Sequence, residues 1–364
     1  MVVASTGVFV TQPTNALFHF HFNKCQLNES IVLYSDYEQF KSSNHSKKIA
    51  CYQMPFPFDD NFYADYDQMY DICDYVIVLC SELHGRTVQF IQRNDRPKSV
   101  YFVCGALNVD MQHAQVHSWH DWFITTKHFY CYVRPETLNE LNPYTPKNKM
   151  FDALLGTRKP HRDTAYNYVK DNNLEDQAVM TYFKNPDLVQ KFSDTDTEEW
   201  IWPKDYSAPK DKDINWTVTI VDYHGYRMSL SQIVPIDIYN QTAYSVVAET
   251  NAENDWCFFT EKVVKPILGR RLFVLLGNRY YLQRLRELGF KTFNDVIDET
   301  YDTLGGSNQR ATEAMKQMHW LCQQPQEEIL AKIKPICEHN YNHMMSTDWY
   351  DVYFKSEFVK YFNQ

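Results

Sequence analysis

The stretch that decides the fold reads AYSVVAETNAENDWCFFTEKVVKPILGRRLFVLLG and runs from Ala243 to Gly277. An apolar run ends at Glu249, a polar loop follows, and Thr260 is a favoured N-cap residue for the helix that opens there. That helix leads into a second apolar run, which ends at Gly277. The pattern predicts a strand, a helix and a second strand in an open α/β sheet.

Outward from this stretch, further short apolar runs bounded by polar turns indicate buried parallel strands. They lie at 30–34, 75–80, 100–104, 122–125, 151–155, 216–221, 243–248 and 272–276. Helices are predicted over 83–93 and 163–172, from 261 onward, over 279–288 with Gly289 as the closing residue, and over about 311–340. The alternating Phe18 to Phe22 segment (FHFHF) is read as an edge strand, because a metal site at its two histidines would lack a third ligand.

Length and composition limit the class of protein. The chain has 364 residues, enough for two α/β domains, and a Pro- and Lys-bearing segment at 143–149 suits a linker between them. The nine cysteines are odd in number and contain no CxxC pair, which disfavours zinc and disulfides and favours a reducing cytoplasm. No run of 18 apolar residues and no basic leading region occurs, so neither a membrane partner nor a cleaved signal is expected.

The decisive stretch also carries the candidate chemistry. In open α/β sheets, ligands bind at the carboxyl ends of strands, where helix N-termini meet anions. Glu261 can accept hydroxyl groups of a ribose or a sugar, Lys262 can meet a phosphate, and Glu249 is expected to face the same crevice beside Thr260. The alternative is that Thr260 and Glu261 only cap a helix and that Lys262 is a solvated charge.

A second element, LLGTRKPHR at 154–162, follows the predicted linker. A glycine turn at Gly156, the three cations Arg158, Lys159 and Arg162, and His161 before a helix suit a diphosphate clamp, with Arg158 and Arg162 as the preferred ligands. The alternative is a solvated basic helix entrance.

A catalytic base is expected from the first half of the chain. Glu82 and His84 follow the predicted strand 75–80, at its functional end, and either could take a proton from an acceptor hydroxyl. The acidic residues Asp59, Asp60 and Asp110 are weaker candidates. An Asp-x-Asp pair at 194–196 can chelate Mg²⁺ or Mn²⁺ at strand ends, but here it lies in the acidic run SDTDTEEW, so no metal site is predicted.

The decisive stretch resembles the donor-binding segment of fucosyltransferase-type GT-B glycosyltransferases, through Glu249, Phe259, Thr260, Glu261, Lys262 and Gly277. It also resembles glycosyltransferase-like proteins of large bacteriophages, whose pattern extends through LQRLRELGFKTF at 282–293 to the DETYD run at 298–302. The likeness covers residues 150–183 and 235–302. It implies that the Glu261–Lys262 pair binds the nucleotide part of the donor.

The resemblance implies an α/β fold of the GT-B type, with two facing Rossmann-like domains and a C-terminal helical segment. The expected division is an acceptor-side domain at 1–145, a nucleotide-sugar domain at 146–310, and helices at 311–364 that pack back across both. The implied activity is that of a hexosyl- or pentosyltransferase whose co-substrate is a nucleotide sugar, with no cofactor.

The acceptor stays open between a glycan or small molecule and DNA. The net charge of −10 and the pI of about 5.7 favour the first. A phage-type enzyme in a host cytoplasm would act on a hydroxylated pyrimidine, for which the cations at 270, 271, 279, 284, 286 and 291 could supply charge. A third alternative is a nucleotide-binding protein without turnover.

Overall fold

The structure of the protein is a computed structural model. It describes residues 6–10, 15–53, 60–80, 88–91, 97–103, 115–183, 220–253 and 256–363. The chain forms two compact units. The first consists of residues 1–121 and 348–364, and the second of residues 122–347.

The first unit is built on a six-stranded parallel sheet in the order β2-β1-β3-β4-β5-β6. Its strands are β1 (Thr6–Val10), β2 (Ile31–Tyr34), β3 (Lys47–Gln53), β4 (Tyr75–Cys80), β5 (Ser99–Val103) and β6 (Gln115–Ser118). Its helices are α1 (Asn15–Lys24), α2 (Tyr37–Ser42), α3 (Asp60–Ile72) and the last helix of the chain, α11 (Ser356–Asn363). This order reverses between β1 and β3, as in doubly wound folds.

Central strands of this sheet are apolar because both of their faces are covered. Val76 to Leu79 in β4 and Val100 to Val103 in β5 have no exposed surface. The strands predicted at 30–34, 75–80 and 100–104 are therefore confirmed to within one residue. The helix predicted over 83–93 is helical at its described residues 88–91.

Two predicted strands of this region are wrong. The Phe18 to Phe22 segment lies in helix α1, which buries Phe18, His21 and Phe22 and exposes His19 and Phe20. Those burial positions follow the helical spacing of three and four residues, and the buried histidine hid that spacing in the sequence. The run at 122–125 lies in helix α4 (Asp121–His128), whose Phe123 packs against Phe259 at a ring-centroid distance of 6.1 Å.

The second unit contains a four-stranded parallel sheet in the order β12-β11-β7-β8. Its strands are β7 (Lys149–Thr157), β8 (Ala178–Phe183), β11 (Thr242–Ala248) and β12 (Phe273–Leu276), and β9 (Ile220–Tyr223) pairs with β10 (Tyr226–Ser229) in a separate antiparallel hairpin. Its helices are α4, α5 (Pro160–Asp171), α6 (Ile236–Gln241), α7 (Glu261–Leu268), α8 (Tyr281–Glu287), α9 (Ser307–Cys322) and α10 (Gln326–Ser346).

Short irregular helices join these elements. The 3₁₀ turns are Pro135–Glu140, Glu175–Gln177, Leu230–Gln232 and Thr300–Thr303, and the π turns are Phe129–Val133 and Asp351–Lys355. The predicted α/β class is confirmed, with one parallel sheet in each of two units. The strand order of the second sheet reverses direction between β7 and β11, because the chain leaves β7 for β8 on one side and β11 for β12 on the other. Ligands of open α/β sheets bind at such a switch point.

The ends of two helices follow from their sequence. Gly289 has φ +91°, so it is the left-handed residue that follows α8, as predicted. The helical stretch predicted over 311–340 is two helices, α9 and α10. Pro325 separates them, because it disfavours a helical conformation in the residue before it.

A buried ion pair holds the second sheet together toward the amino ends of its strands. Arg271, which precedes β12, donates to Asp152 of β7 at 2.9 Å and to the hydroxyl of Ser245 in β11 at 3.0 Å. It also donates to the backbone carbonyls of Tyr239, Thr242 and Tyr244. Because nearly every guanidinium proton has an acceptor, this buried charge is well compensated.

The division between the units falls after residue 121, so the predicted linker at 143–149 lies inside the second unit. Helix α4 accounts for this position, since the ring of Phe123 also packs against Phe290 of the second unit. Of the predicted terminal helical segment, α9 and α10 lie in the second unit and residues 348–364 in the first. In the described part of the chain, no helix combines the length and the apolar character needed to cross a bilayer.

Candidate functional site

The candidate site lies where β7 and β11 end, at the switch point of the second sheet. Strand β7 contains a bulge between Leu154 and Gly156. Gly156 has φ +65°, a conformation that favours glycine, and the bulge bends the chain toward the start of α5. Lys159 is the N-cap residue of that helix and Pro160 its first residue.

His161 and Arg162, in the first turn of α5, bond to the end of β11. The His161 Nε2 donates to the backbone carbonyl of Glu249 at 2.9 Å, which fixes the proton on that nitrogen. Burial and the neighbouring Arg162 lower the pKa of His161 to about 4, so the ring is neutral at physiological pH. The Arg162 Nη2 donates to the carbonyls of Ala248 at 3.3 Å and Glu249 at 3.1 Å. Burial lowers its pKa to about 10, so it stays charged.

Arg158 has a different environment from Arg162. Its side chain is 53% exposed and pairs with Asp163 at 3.0 Å. Asp163 also accepts a hydrogen bond of 2.6 Å from the Tyr182 hydroxyl, which lies at the end of β8. A ligand phosphate would therefore compete with Asp163 for Arg158. Arg162, in contrast, already donates to the backbone carbonyls at the end of β11.

Glu249 directly follows β11, and its side chain is wholly buried. Its carboxylate accepts hydrogen bonds of 2.6 Å from the hydroxyls of Thr260 and Tyr281. Burial raises the pKa of Glu249, and Lys262 and the two hydroxyls act against that rise. A buried carboxylate held by two hydroxyls fixes the position of Thr260, so Glu249 connects the end of β11 to the start of α7.

Thr260 is the N-cap of α7, and its Oγ1 accepts from the backbone N–H of Lys262 at 3.2 Å. The Lys262 Nζ donates to Glu261 at 2.5 Å and lies 3.3 Å from the Thr250 hydroxyl. The Lys159 Nζ, which comes from the other loop, donates to the Thr250 carbonyl at 2.5 Å. Two ammonium groups from loops that are far apart in the sequence therefore converge on Thr250.

Lys265 lies one turn further along α7 and completes this charged face. Burial lowers its pKa to about 8, and nearby Glu261 acts in the opposite direction. Glu261 itself is 3% exposed. The predicted residues lie together at the carboxyl end of β11 and the start of α7: Glu249, Thr260, Glu261 and Lys262. Arg162 is close enough for Glu249 and Glu261 to act on its charge.

Arg310, near the start of α9, ties the surrounding loops together. Its guanidinium donates to carbonyls of three loops: those of Gly277 at 3.1 Å, Leu304 at 2.6 Å and Gly305 at 2.9 Å, and that of Ala252. Because the Ala252 carbonyl belongs to the loop between β11 and α7, Arg310 restrains the loop that carries Thr250.

The DETYD run at 298–302 has a structural role around α8. The Asp302 carboxylate accepts from the backbone N–H groups of Leu282 and Gln283 at 3.1 and 3.2 Å. The Glu299 carboxylate accepts from the N–H of Phe293 at 2.6 Å and pairs with Arg286 at 3.1 Å. These acids therefore fix the backbone beside the site.

Four arginines of the predicted DNA-binding cluster form ion pairs within the protein. Arg271 is buried in the core, and Arg270 lies 3.7 Å from the ring centroid of Tyr341. Arg284 pairs with Glu287 at 2.6 Å, and Arg286 with Glu299. The cluster therefore offers less free positive charge than the sequence indicates.

Several predicted residues lie outside the described residues: Glu82, His84, Asp59, Asp110, and the Asp194 and Asp196 pair. Asp60 begins α3. Asp121, separated from the end of β6 by two residues, begins α4. Burial raises the pKa of Asp121 to about 6, a value useful for proton transfer. Over the described ranges, no three His, Cys, Asp or Glu side chains are grouped closely enough to hold a metal ion.

Sequence reasoning missed Thr250 and Tyr281 as parts of this site, and it counted Lys159 among three cations of its loop but preferred Arg158 and Arg162. Lys159 stands between two residues that were chosen, and its position as N-cap of α5 is a usable signal. Thr250 directly follows the strand-end glutamate, where side chains of open α/β sheets meet ligands. Tyr281 carries no local signal, because its contact with Glu249 spans 32 residues.

The fold and site define a protein class: an α/β protein whose second unit carries acid and ammonium groups at the switch point of a parallel sheet. Comparison with solved structures finds two crystal structures of α1,3-fucosyltransferase. One has a TM-score of 0.32 and 11% identity, over 94% of this chain and 82% of that chain. The other, with GDP-fucose, has a TM-score of 0.31 and 9% identity, over 99% and 91%. No protein-family model and no curated protein matches the chain.

Proposed function

We propose that this chain is a glycosyltransferase, which moves a hexose or pentose from a nucleotide-diphosphate sugar to an acceptor hydroxyl without a metal ion. One observation carries the proposal. Lys159 and Lys262 converge on Thr250 beside Glu261, at the switch point of the second sheet. A diphosphate needs cations, and a ribose needs a hydroxyl acceptor, so both groups have a partner there.

The charges suit the departure of a nucleotide diphosphate. As the glycosidic bond breaks, negative charge grows on the diphosphate, and positioned cations lower the energy of that state. Lys159 and Lys262 can exchange their bonds to Thr250 for bonds to phosphate oxygens. Arg162 adds a fixed positive charge behind them, and the acids Glu249 and Glu261 are close enough to act on it. Gly156 supports this arrangement because it lies at the bulge of β7, and His161 supports it through its hydrogen bond to the Glu249 carbonyl at the end of β11.

The proton acceptor belongs to the same proposal. Glu82 or His84 would take the proton of the acceptor hydroxyl as the sugar is transferred. A glycan or small-molecule acceptor is favoured over DNA, since the net charge is −10 and most of the arginines considered for DNA are paired.

The test begins with binding. The melting temperature of the chain should rise with nucleoside diphosphates and with nucleotide sugars, because a ligand of the native state stabilises it. Glu261→Gln and Lys262→Met should each reduce that rise. Lys316→Met is the matched control, since Lys316 forms an exposed ion pair with Glu313 in α9, away from the strand ends.

Turnover is measured next. A transferase should slowly release nucleoside diphosphate from the donor without an acceptor, and Lys262→Met should release it more slowly. Binding without any release would instead identify a nucleotide-binding protein. Normal binding and release by Glu261→Gln and Lys262→Met would refute the proposed site. Retention on DNA at low salt would then favour DNA as the acceptor.

A further inference from the structure

Tyr280 has an unusual backbone conformation close to the candidate site. Its φ and ψ are 64° and 19°, in the left-handed region. A large residue with a Cβ atom rarely adopts this region, and such residues cluster at ligand sites because the surrounding structure must hold them there. Tyr280 directly follows the Gly277-Asn278-Arg279 loop at the carboxyl end of β12.

The surrounding residues hold the backbone of Tyr280 on both sides. Its N–H donates to the Asp302 carbonyl at 2.8 Å. The Asp302 carboxylate accepts from the N–H groups of Leu282 and Gln283 in the first turn of α8. The Nε of Arg279 donates to the Thr303 carbonyl at 2.7 Å. The left-handed conformation is therefore imposed by the loop at 299–303.

This conformation keeps an aromatic ring at the surface. The Tyr280 side chain does not cap α8, and 36% of the residue is exposed. The Arg279 guanidinium lies 4.5 Å from its ring centroid, and among the described residues no other aromatic ring packs against it. The two side chains form a planar, cationic surface.

The position of this surface relates it to the site. Tyr281, the next residue, donates its hydroxyl proton to Glu249. Strand β12 neighbours β11, and the Arg310 guanidinium donates both to the Gly277 carbonyl after β12 and to the Ala252 carbonyl after β11, so the loop that leads to Tyr280 lies beside the loop that carries Thr250. A nucleotide whose diphosphate lies on Lys159 and Lys262 would extend its base across the end of β11 toward β12.

We infer that Tyr280 and Arg279 form the surface on which the nucleotide base of the donor stacks. This inference rests on the proposed function. The ligand group is a purine or pyrimidine ring, because flat aromatic rings stack on tyrosine and on guanidinium planes.

The experiment compares binding of GDP, UDP and inorganic pyrophosphate by titration calorimetry. Tyr280→Asn removes the ring but keeps a residue that tolerates the left-handed region, so the melting temperature should not fall. Its affinity for GDP and UDP should fall by about five- to 150-fold, the range that base stacking on an aromatic ring gives, with pyrophosphate binding unchanged. Tyr280→Phe should bind all three like the wild type.

The matched control is Tyr226→Asn. Tyr226 is also an exposed tyrosine under a guanidinium, 5.3 Å from Arg134, but it lies in the β9–β10 hairpin. Its loss should leave nucleotide affinity unchanged. The inference would be overturned if Tyr280→Asn bound GDP and UDP as tightly as the wild type, or if it lost as much affinity for pyrophosphate as for the nucleotides. Either result would leave the proposed function standing. No binding of either nucleotide by the wild type would overturn the proposed function as well.

Discussion

Tyr281→Phe removes one hydroxyl from the buried carboxylate of Glu249. The lost hydrogen bond is short, at 2.6 Å, and its acceptor has no exposed surface. A hydrogen bond to a charged group contributes about 1.5–3 kcal/mol, and a neutral one about 0.5–1.5 kcal/mol. We expect the free energy of unfolding of the variant to fall by about 2–3 kcal/mol at pH 8.

The loss should depend on pH. Burial raises the pKa of Glu249 above its usual value, and the Tyr281 hydroxyl counteracts that rise. A carboxyl whose folded-state pKa is raised costs stability as pH increases through the interval between its unfolded and folded pKa values. Removing the hydroxyl raises the folded-state pKa of Glu249 further. The decrease in the free energy of unfolding of the variant should therefore be larger at pH 8 than at pH 4. At pH 4 the carboxyl is protonated, and the expected decrease is about 1 kcal/mol.

Urea unfolding at the two pH values measures this difference, with an unchanged slope as the condition for comparing midpoints. Tyr301→Phe is the control, because Tyr301 is also buried but accepts a longer hydrogen bond of 3.3 Å from the N–H of Leu275. It should lose about 1 kcal/mol at both pH values. A double-mutant cycle with Glu249→Gln should show a coupling energy above about 0.5 kcal/mol. Equal deficits of Tyr281→Phe at pH 4 and pH 8 would refute the ionised state of Glu249 in the fold.

Four further predictions follow from other contacts. Arg271→Met should destabilise the chain by about 3–5 kcal/mol in chemical unfolding, because Asp152 would stay buried without its charge partner; a loss below 1 kcal/mol would contradict this. The His161 pKa of about 4, lowered from 6.5, should withdraw about 3 kcal/mol of stability as pH falls from 6.5 to 4, and His161→Gln should remove that slope. Gly289→Ala should lower stability by at least about 1 kcal/mol, since φ is +91° and a Cβ there would lie 2.9 Å from the His343 Nε2; an unchanged urea midpoint would disprove it. Chelation with EDTA should leave the proposed sugar transfer unchanged, and recovery of a lost rate by Mg²⁺ or Mn²⁺ would show that a metal is needed.

The sequence predicts three of the four strands of the second sheet, because they are short, apolar and bounded by polar turns, whereas β8 was not predicted. The unit of β11, α7 and β12 agrees with the prediction to within one residue. Helix α1 could not be predicted in the same way. Its Phe and His residues alternate in the sequence, and the burial of His21 among aromatic rings is a tertiary effect. Strand β3 (KKIACYQ) was missed because its first two residues are lysines.

The candidate site divides between local and long-range information. The start of α7 could be predicted because an N-cap and its following charges are a local pattern. The contact of Lys159 with Thr250 spans 91 residues and depends on the order of the strands. The pairing of Arg158 with Asp163 is local, yet it becomes clear only once α5 begins at Pro160. Strand order is therefore the information that the sequence alone does not supply.

The buried Arg271 network and the charged residues around Thr250 occupy opposite ends of the same strands. Laboratory evolution of this protein can therefore exchange exposed side chains at the Thr250 end of the strands, while the Arg271 network at the other end preserves heat resistance. Libraries restricted to the exposed residues of the loops after β7, β11 and β12 should retain mostly folded variants, whereas changes near Asp152 should yield aggregates.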